Sequence, residues 1–311
     1  MKIAIIGAAG TVGSCVAFTM VMNRLAEELV LIDSFEGALQ GQWMDLSAVG
    51  AALGTTVIKG DYKDLPGSDI VIVAVGAPVN AKGSRLELLA SSLPIIKSVA
   101  ENINQYSPQA KVIMETNPVD PLNYAMYLLS HDKDRRKYVG YSFNDTLRFR
   151  MWAAEDLKAS SRSVGGIVIG EHGNSQVMLF STLSIEGKPV EVSEETKKRI
   201  RSRSPEIIKT FESLLPKRTP GWTSAYGTAM IVEAIKNDSK LEIPCNTVLH
   251  GEYGLEDMST TVPVILGKNG IESVRVLPLT REEERELELS AQTLKPHMRV
   301  VEDFINNNPT L

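Results

Sequence analysis

The chain has 311 residues, 43% of them hydrophobic, enough to bury a large core and to build two domains that share one interface. A formal net charge of -5 leaves no basic face for a nucleic-acid backbone, and the basic cluster Lys197-Lys198-Arg199 with Arg201 and Arg203 reads as the solvated side of a helix. Cys15 and Cys245, far apart and without metal-ligand spacing, argue against a disulfide framework or a zinc site and fit a reducing cytosol, while no apolar run approaches the length of a membrane span.

The first element expected is a buried parallel strand over Lys2 to Ile6, so no signal or transit peptide is expected and the chain reads as cytoplasmic. The strand runs into Gly7-Ala8-Ala9-Gly10-Thr11-Val12-Gly13, and a helix follows with Val16, Met20 and Leu25 toward a sheet. A second apolar run, Leu29 to Ile32, ends at Asp33. Each part has a physical task in holding a dinucleotide. Gly7 permits the tight turn, Gly10 has no Cβ to keep a pyrophosphate off the backbone, and Gly13 lets the helix lie close to the strand. The free amides at the helix start, around Thr11 and Val12, and the positive end of its dipole favour the phosphates. Asp33 accepts hydrogen bonds from the adenosine ribose hydroxyls and repels a 2'-phosphate, so NAD is favoured over NADP. The GxxGxxG spacing, with Ala8 and Ala9 between the first two glycines, departs from the commoner GxGxxG.

A helix is expected over Glu36 to Val49, where Trp43, Leu46 and Val49 expose apolar area for a core or for a second subunit. Strands follow at Thr56 to Lys59 and Asp69 to Val75, then an irregular loop from Gly76 to Ser84 that Arg85 closes. A helix to about Gln105 and a strand over Ala110 to Thr116 lead to Asn117-Pro118. Strand and helix alternate to about residue 140. Beyond it come a helix over Asp145 to Leu157, strands around Ile167 and Met178, a hairpin through Glu186-Gly187 and helices near 193–214 and 223–236. A second hairpin turning on Asn269-Gly270 has a type I' signal, and a long charged helix starts at Glu282. The fold class is α/β: a doubly wound parallel (Rossmann) sheet over residues 1–140, followed by an α+β domain over residues 141–311.

Three further stretches stand out: Asn144-Asp145-Thr146-Leu147-Arg148-Phe149-Arg150, Gly170-Glu171-His172-Gly173-Asn174-Ser175 and Gly221-Trp222-Thr223-Ser224. Taken with Gly7 to Gly13, Arg85 and Thr116-Asn117-Pro118-Val119-Asp120, they resemble the lactate/malate dehydrogenase family along essentially the whole chain. In that family GxxGxxG is an ordinary form of the nucleotide loop. The resemblance implies NAD as cofactor, a small 2-hydroxy or 2-oxo acid as substrate, and a homodimer or homotetramer. Hydride goes to NAD, so the protein must take the hydroxyl proton. The resemblance assigns that to His172, whose imidazole exchanges protons near neutral pH, with Asp145 fixing its tautomer and raising its pKa. Arg148, three residues on from Asp145, would clamp the substrate carboxylate. Arg85 would polarise the carbonyl as the loop closes, Asn117 would hydrogen-bond the reacting oxygen near the nicotinamide ribose, and Thr223 would contact the carboxylate. Gly76, Ser92 and Thr116 complete the cofactor surroundings.

Several positions depart from the family. Val79 stands where malate enzymes carry Arg and lactate enzymes carry Gln, so a second carboxylate would be buried there at a cost of several kcal/mol, on the scale of ~2–7 kcal/mol for an uncompensated polar group. A monocarboxylic substrate is therefore expected, although Lys82 in the same loop could bring an ammonium to it. Ser92 replaces a common Asn, Asn174 replaces an Asp, and Glu115 replaces an apolar residue. Alternatives are a malate dehydrogenase with an atypical loop, an NAD-dependent glycoside hydrolase, which would need a metal-binding Cys or extra His and a longer chain, and a non-catalytic NAD-binding protein.

Overall fold

A computed structural model of the protein describes residues 1–76, 85–214 and 219–308. The first half alternates strand and helix: β1 (Lys2–Ile6), α1 (Thr11–Met22), β2 (Glu28–Ile32), α2 (Glu36–Leu53), β3 (Thr56–Lys59), β4 (Ile70–Val73), α3 (Arg85–Tyr106), β5 (Lys111–Met114), α4 (Val119–Leu129) and β6 (Tyr138–Gly140). All six strands pair in parallel in the order β3-β2-β1-β4-β5-β6. β4 is apolar and buried at every position, and β1 and β5 are so after their first residue, because both faces are covered. Ile3 and Ile5 of β1 join one core with Val16 and Met20 of α1, whereas Ala4 and Ile6 join the opposite core with Leu89 and Leu93 of α3.

Past Gly140 the sheet changes character. The second half contains α5 (Phe143–Leu157), β7 (Val164–Gly170), β8 (Gln176–Ile185), β9 (Lys188–Pro189), α6 (Glu194–Leu214), α7 (Trp222–Asn237), β10 (Leu241–His250), β11 (Glu256–Gly267), β12 (Gly270–Val274) and α8 (Arg281–Asn307). β10 pairs antiparallel with β6 at Asn246 and Gly140, and the sheet runs on as β10-β11-β7-β8-β9, with β12 on the side of β11. The result is one 12-stranded mixed sheet, and α7 packs back onto the parallel half against α1.

The structure adds one hairpin, corrects one turn and decides one open alternative. The hairpin β10–β11 has no counterpart in the sequence-based elements, because Pro244 and Pro263 are strand breakers by type. They lie opposite each other in the register, so the two missing donors disturb the ladder at one place instead of two. The Asn269-Gly270 hairpin exists, but Asn269 stays out of the left-handed region and Gly270 alone takes φ 93°, so the turn is not type I'. A Cβ at Gly270 would stand 2.1 Å from the Arg136 carbonyl oxygen, which makes glycine obligatory there. On α2, Leu46 is buried, Trp43 and Val49 pack against the same core, and Trp43 Nε1 donates to the Val57 carbonyl at 3.0 Å. That apolar stripe faces the core, with Trp43 and Val49 partly buried, and Met44 of α2 is a large apolar side chain left exposed. The basic cluster does lie on a solvated helix, α6, where Arg199 and Arg203 pair with Asp156 and Glu155 and Arg201 pairs with Glu282 and Glu286. No helix among the described residues is long and apolar enough to cross a membrane.

Candidate active site

The C-terminal ends of β1, β4 and β5 open onto a cleft, the position at which a doubly wound sheet receives ligands. At the end of β1 the chain turns on Gly7, whose φ of 91° and 2.4 Å approach of a would-be Cβ to the Ala74 carbonyl oxygen admit only glycine. Gly13 is equally constrained, since a Cβ there would lie 2.1 Å from the Gly7 carbonyl oxygen. At Gly10 the nearest atom to a Cβ is at 3.4 Å, an ordinary contact, so nothing inside the chain requires a glycine. What a Cβ would obstruct is the open side. Gly10 is also the N-cap of α1 and supplies no side-chain acceptor, which leaves first-turn amides of the helix for an external anion. Asp33 at the end of β2 fastens this turn: Oδ2 accepts from the Ala9 amide at 2.8 Å and Oδ1 from the Phe35 amide at 2.9 Å. Each carboxylate oxygen retains a second lone pair for a ribose hydroxyl. These features fit a dinucleotide diphosphate with its adenosine ribose toward Asp33.

The cleft itself has a volume of about 620 Å3. Of the residues expected from the sequence, Gly10, Thr11, Val12, Gly76, Arg85, Thr116, Asn117, Asp145, Arg148 and His172 line it together. They come from both halves of the chain, brought together where β6 hands the sheet to β10. Gly7, Ala9, Gly13 and Asp33 shape the turn behind the cleft. Ser92 is buried in α3 with its hydroxyl unpartnered, and Thr223 lies beside the cleft with its carbonyl accepting from Tyr141 and its own hydroxyl buried without a partner. Ser224, one residue on, lines the wall. Val79 and Lys82 lie outside the described residues.

α5 carries the carboxylate that meets the imidazole. Asn144, Asp145 and Arg148 fall on the cleft side of its first turns, and Thr146 anchors the helix by accepting from the Val168 amide at 3.0 Å. Asp145 Oδ2 lies 2.6 Å from His172 Nδ1. A carboxylate only accepts, so Nδ1 carries the proton and Nε2 is the atom free to exchange one. The His172 ring is 16% exposed, and its burial lowers the pKa. The attraction and hydrogen bond of Asp145, with Asp120 behind it, outweigh that burial and Arg148, and the net shift is upward. Arg148 Nη1 lies 3.6 Å from Asp145 Oδ1, so the guanidinium and the imidazole share one carboxylate and open to one space.

Sequence reasoning missed the groups that hold this arrangement. Asp120 Oδ2 accepts from the His172 amide at 3.0 Å while its Oδ1 accepts from Asn246 Nδ2 at 2.6 Å, tying the His172 turn to β10. Burial pushes the Asp120 carboxyl up to about 7. Its signal was hidden because Asn246 lies in the strand that the prolines mask. Glu171, 3% exposed, accepts from the Ser175 amide and hydroxyl and pairs with Arg85, whose guanidinium rests against Gly173. Arg85 is thus placed one residue from His172, at the cleft mouth. Glu115 is buried at the cleft wall, where Thr228 Oγ1 donates to its Oε1, and burial pushes its carboxyl up to about 8.

Two family models match the chain. One, described as lactate/malate dehydrogenase, NAD binding domain, covers residues 1–139, and the other, lactate/malate dehydrogenase, alpha/beta C-terminal domain, covers residues 144–305. Among curated proteins the chain is 35% identical to a malate dehydrogenase of Natronomonas pharaonis, over 88% of this chain and 90% of that one. It is also 35% identical to L-lactate dehydrogenase 1 of Clostridium acetobutylicum, over 94% and 96% of the two chains. Among solved structures it superposes with a TM-score of 0.91 and 31% identity on a lactate dehydrogenase of Cryptosporidium parvum complexed with lactic acid and NAD, covering 97% of this chain and 98% of that one.

Proposed function

The chain belongs to the lactate/malate dehydrogenase family of NAD-dependent 2-hydroxyacid dehydrogenases, and from that premise we propose that it interconverts an L-2-hydroxy acid with one carboxylate and the corresponding 2-oxo acid. The observation that carries the chemistry is the single space shared by His172, with its proton fixed on Nδ1 by Asp145, and Arg148.

When bound, NAD supplies the hydride acceptor. Gly10, Thr11 and Val12 would hold its diphosphate, Asp33 its adenosine ribose, and Thr116 and Asn117 the nicotinamide end. The residues of the chain do the rest. Arg148 takes the substrate carboxylate in two parallel hydrogen bonds, which sets the hydroxyl toward His172. His172 Nε2 receives the hydroxyl proton in oxidation and returns it in reduction, and Asp145 stabilises the imidazolium formed in between. Asn117 donates to the reacting oxygen. Arg85, at the N-terminal end of α3, adds positive charge at that oxygen once it exchanges Glu171 for the substrate.

The choice of a monocarboxylate rests on Val79, which offers a second carboxylate neither charge nor hydrogen bond. The competing reading, a malate dehydrogenase with an unusual loop, draws on Lys82 and on relatives of both names at equal identity. Rates of NADH oxidation with pyruvate, a branched 2-oxo acid and oxaloacetate separate the two. The monocarboxylates should lead in kcat/KM by about a hundredfold, a difference of a few kcal/mol at the transition state. A preference for oxaloacetate overturns the Val79 argument.

We also propose that the working form is a homo-oligomer. Phe18 of α1 and Trp222 and Tyr226 of α7 are exposed around one shallow depression, an apolar patch of the kind that subunits cover.

A further inference from the structure

Glu115 is a buried carboxyl to which the reaction above assigns no part. It follows β5 directly, and its amide still donates to the Val73 carbonyl at 2.8 Å, so the strand geometry extends through it. By the two-residue period its side chain leaves the sheet on the same face as Ile113, which packs in the core shared with α1 and α7. There the carboxyl meets α7, where the hydroxyls of Thr228 and Ser224 bond to it. Only 7% of the residue is exposed, and that sliver opens into the cleft.

The groups that face it come from every element around this wall. Tyr141 follows β6, Cys245 is on β10, and His172 stands across the cleft. Arg148 and Asp145 of α5 line the same space. Tyr141 and Cys245 are both pushed upward by burial and stay neutral near neutral pH. Glu115 and His172, with Asp120 behind the imidazole pushed up to about 7, are then the titrating groups nearest a ligand at this wall.

The sheet order says which part of a dinucleotide that is. Asp33 ends β2 on one side of the β1 turn, while β4 and then β5 lie on the other. A cofactor with its adenosine ribose at Asp33 and its diphosphate at Gly10 therefore brings its nicotinamide to the side of Glu115, Asn117 and His172. Oxidised and reduced nicotinamide differ by one positive charge on the ring. A carboxylate in a water-poor wall attracts the charged ring and gives the neutral one nothing.

We propose that Glu115 selects the oxidation state of the cofactor: ionised, it strengthens the binding of NAD+ and not of NADH, so the balance of bound forms turns with pH. This rests on the NAD-dependent reading of the site. Below a pH of about 8 the carboxyl is neutral and the two forms compete without its influence; above it the anion favours NAD+. By reciprocity, NAD+ arriving at neutral pH draws a proton off Glu115 and releases it to solvent.

The test measures dissociation constants of NADH by fluorescence and of NAD+ by calorimetry, from about pH 6.5 to about pH 9.5, in the wild type, Glu115→Gln, His172→Asn and the double variant. In the wild type NAD+ should bind about tenfold more tightly at the alkaline end, with NADH unchanged. The His172 imidazolium also repels NAD+ and gives a slope of its own as it loses its proton, so the comparison is made without it: His172→Asn should keep a slope, and His172→Asn combined with Glu115→Gln should lose it. Calorimetry in two buffers of different ionisation enthalpy should show proton release on NAD+ binding at neutral pH in His172→Asn and none when Glu115→Gln is added to it. A slope that survives in the double variant, or one that disappears in His172→Asn alone, overturns the proposal. NADH binding with a pH-independent ratio in the wild type overturns it without any variant and leaves the dehydrogenase reading standing. Binding of neither form overturns both.

Discussion

At the scale of single residues the site is a set of buried charges whose pKa values pull against each other. Burial alone would hold the His172 imidazole below its usual pKa, and Asp145, with Asp120, turns the shift upward. The raised pKa has a sign in two measurements. It stabilises the folded state fully below the unfolded value near 6.5, and that contribution fades as pH rises through the higher folded value. Reduction of a 2-oxo acid needs the proton, so its kcat/KM should fall with rising pH through the same raised pKa. In Asp145→Asn the carboxylate is gone and burial is no longer outweighed. The alkaline limb should then move to lower pH and kcat should drop about a hundredfold or more. A pH–rate profile that does not move would show that Asp145 does not tune the imidazole.

The element that matters most is the unit of β1, its glycine turn and α1, because it assigns different duties to residues of one type. Gly7 and Gly13 are demanded by the chain itself, the first by its φ and both by backbone atoms nearer than 2.5 Å to a would-be Cβ. Gly10 is free of such neighbours. Gly13→Ala should therefore cost about 2 kcal/mol or more of stability through overpacking, seen as a lower Tm. Gly10→Ala should leave Tm nearly unchanged and weaken NADH binding about tenfold or more, because the new methyl group stands where a diphosphate must approach. Equal stability losses in the two variants would remove the ligand-based reason for Gly10. A helix of the second half shows the same division: Thr146 of α5 serves the fold by holding Val168, while Asp145 and Arg148 beside it serve the cleft.

Across the whole molecule, the decisive feature is that the sheet does not stop at Gly140. One antiparallel pairing to Asn246 carries it into the second half, and the Asn246–Asp120–His172 chain of hydrogen bonds runs through that junction. The outer surface has its own consequence. Trp43 and Leu46 pack against the core, so the association proposed above would draw on faces such as that of Phe18, Trp222 and Tyr226. Trp222 is 86% exposed, so Trp222→Lys should not disturb the core. Sedimentation velocity at micromolar concentration should show an assembly for the wild type and a shift toward monomer for Trp222→Lys. A wild type that sediments as a monomer removes the oligomer proposal.

The sequence by itself determined the α/β class and the glycine turn with Asp33, and its resemblance to a family pointed to the imidazole, carboxylate and guanidinium. Those signals are local: a two-residue or 3.6-residue period, a glycine at a turn, a short motif of fixed spacing. Only the tertiary structure decided that β10 and β11 are strands despite Pro244 and Pro263, because two breakers are tolerated when they face each other across a ladder. It also decided that Asp120 holds the His172 backbone, that Arg85 rests on Glu171, and that Glu115 faces the cleft. Each of these joins segments many residues apart, and contact between distant segments depends on how sheets and helices pack, which no short window of residues encodes.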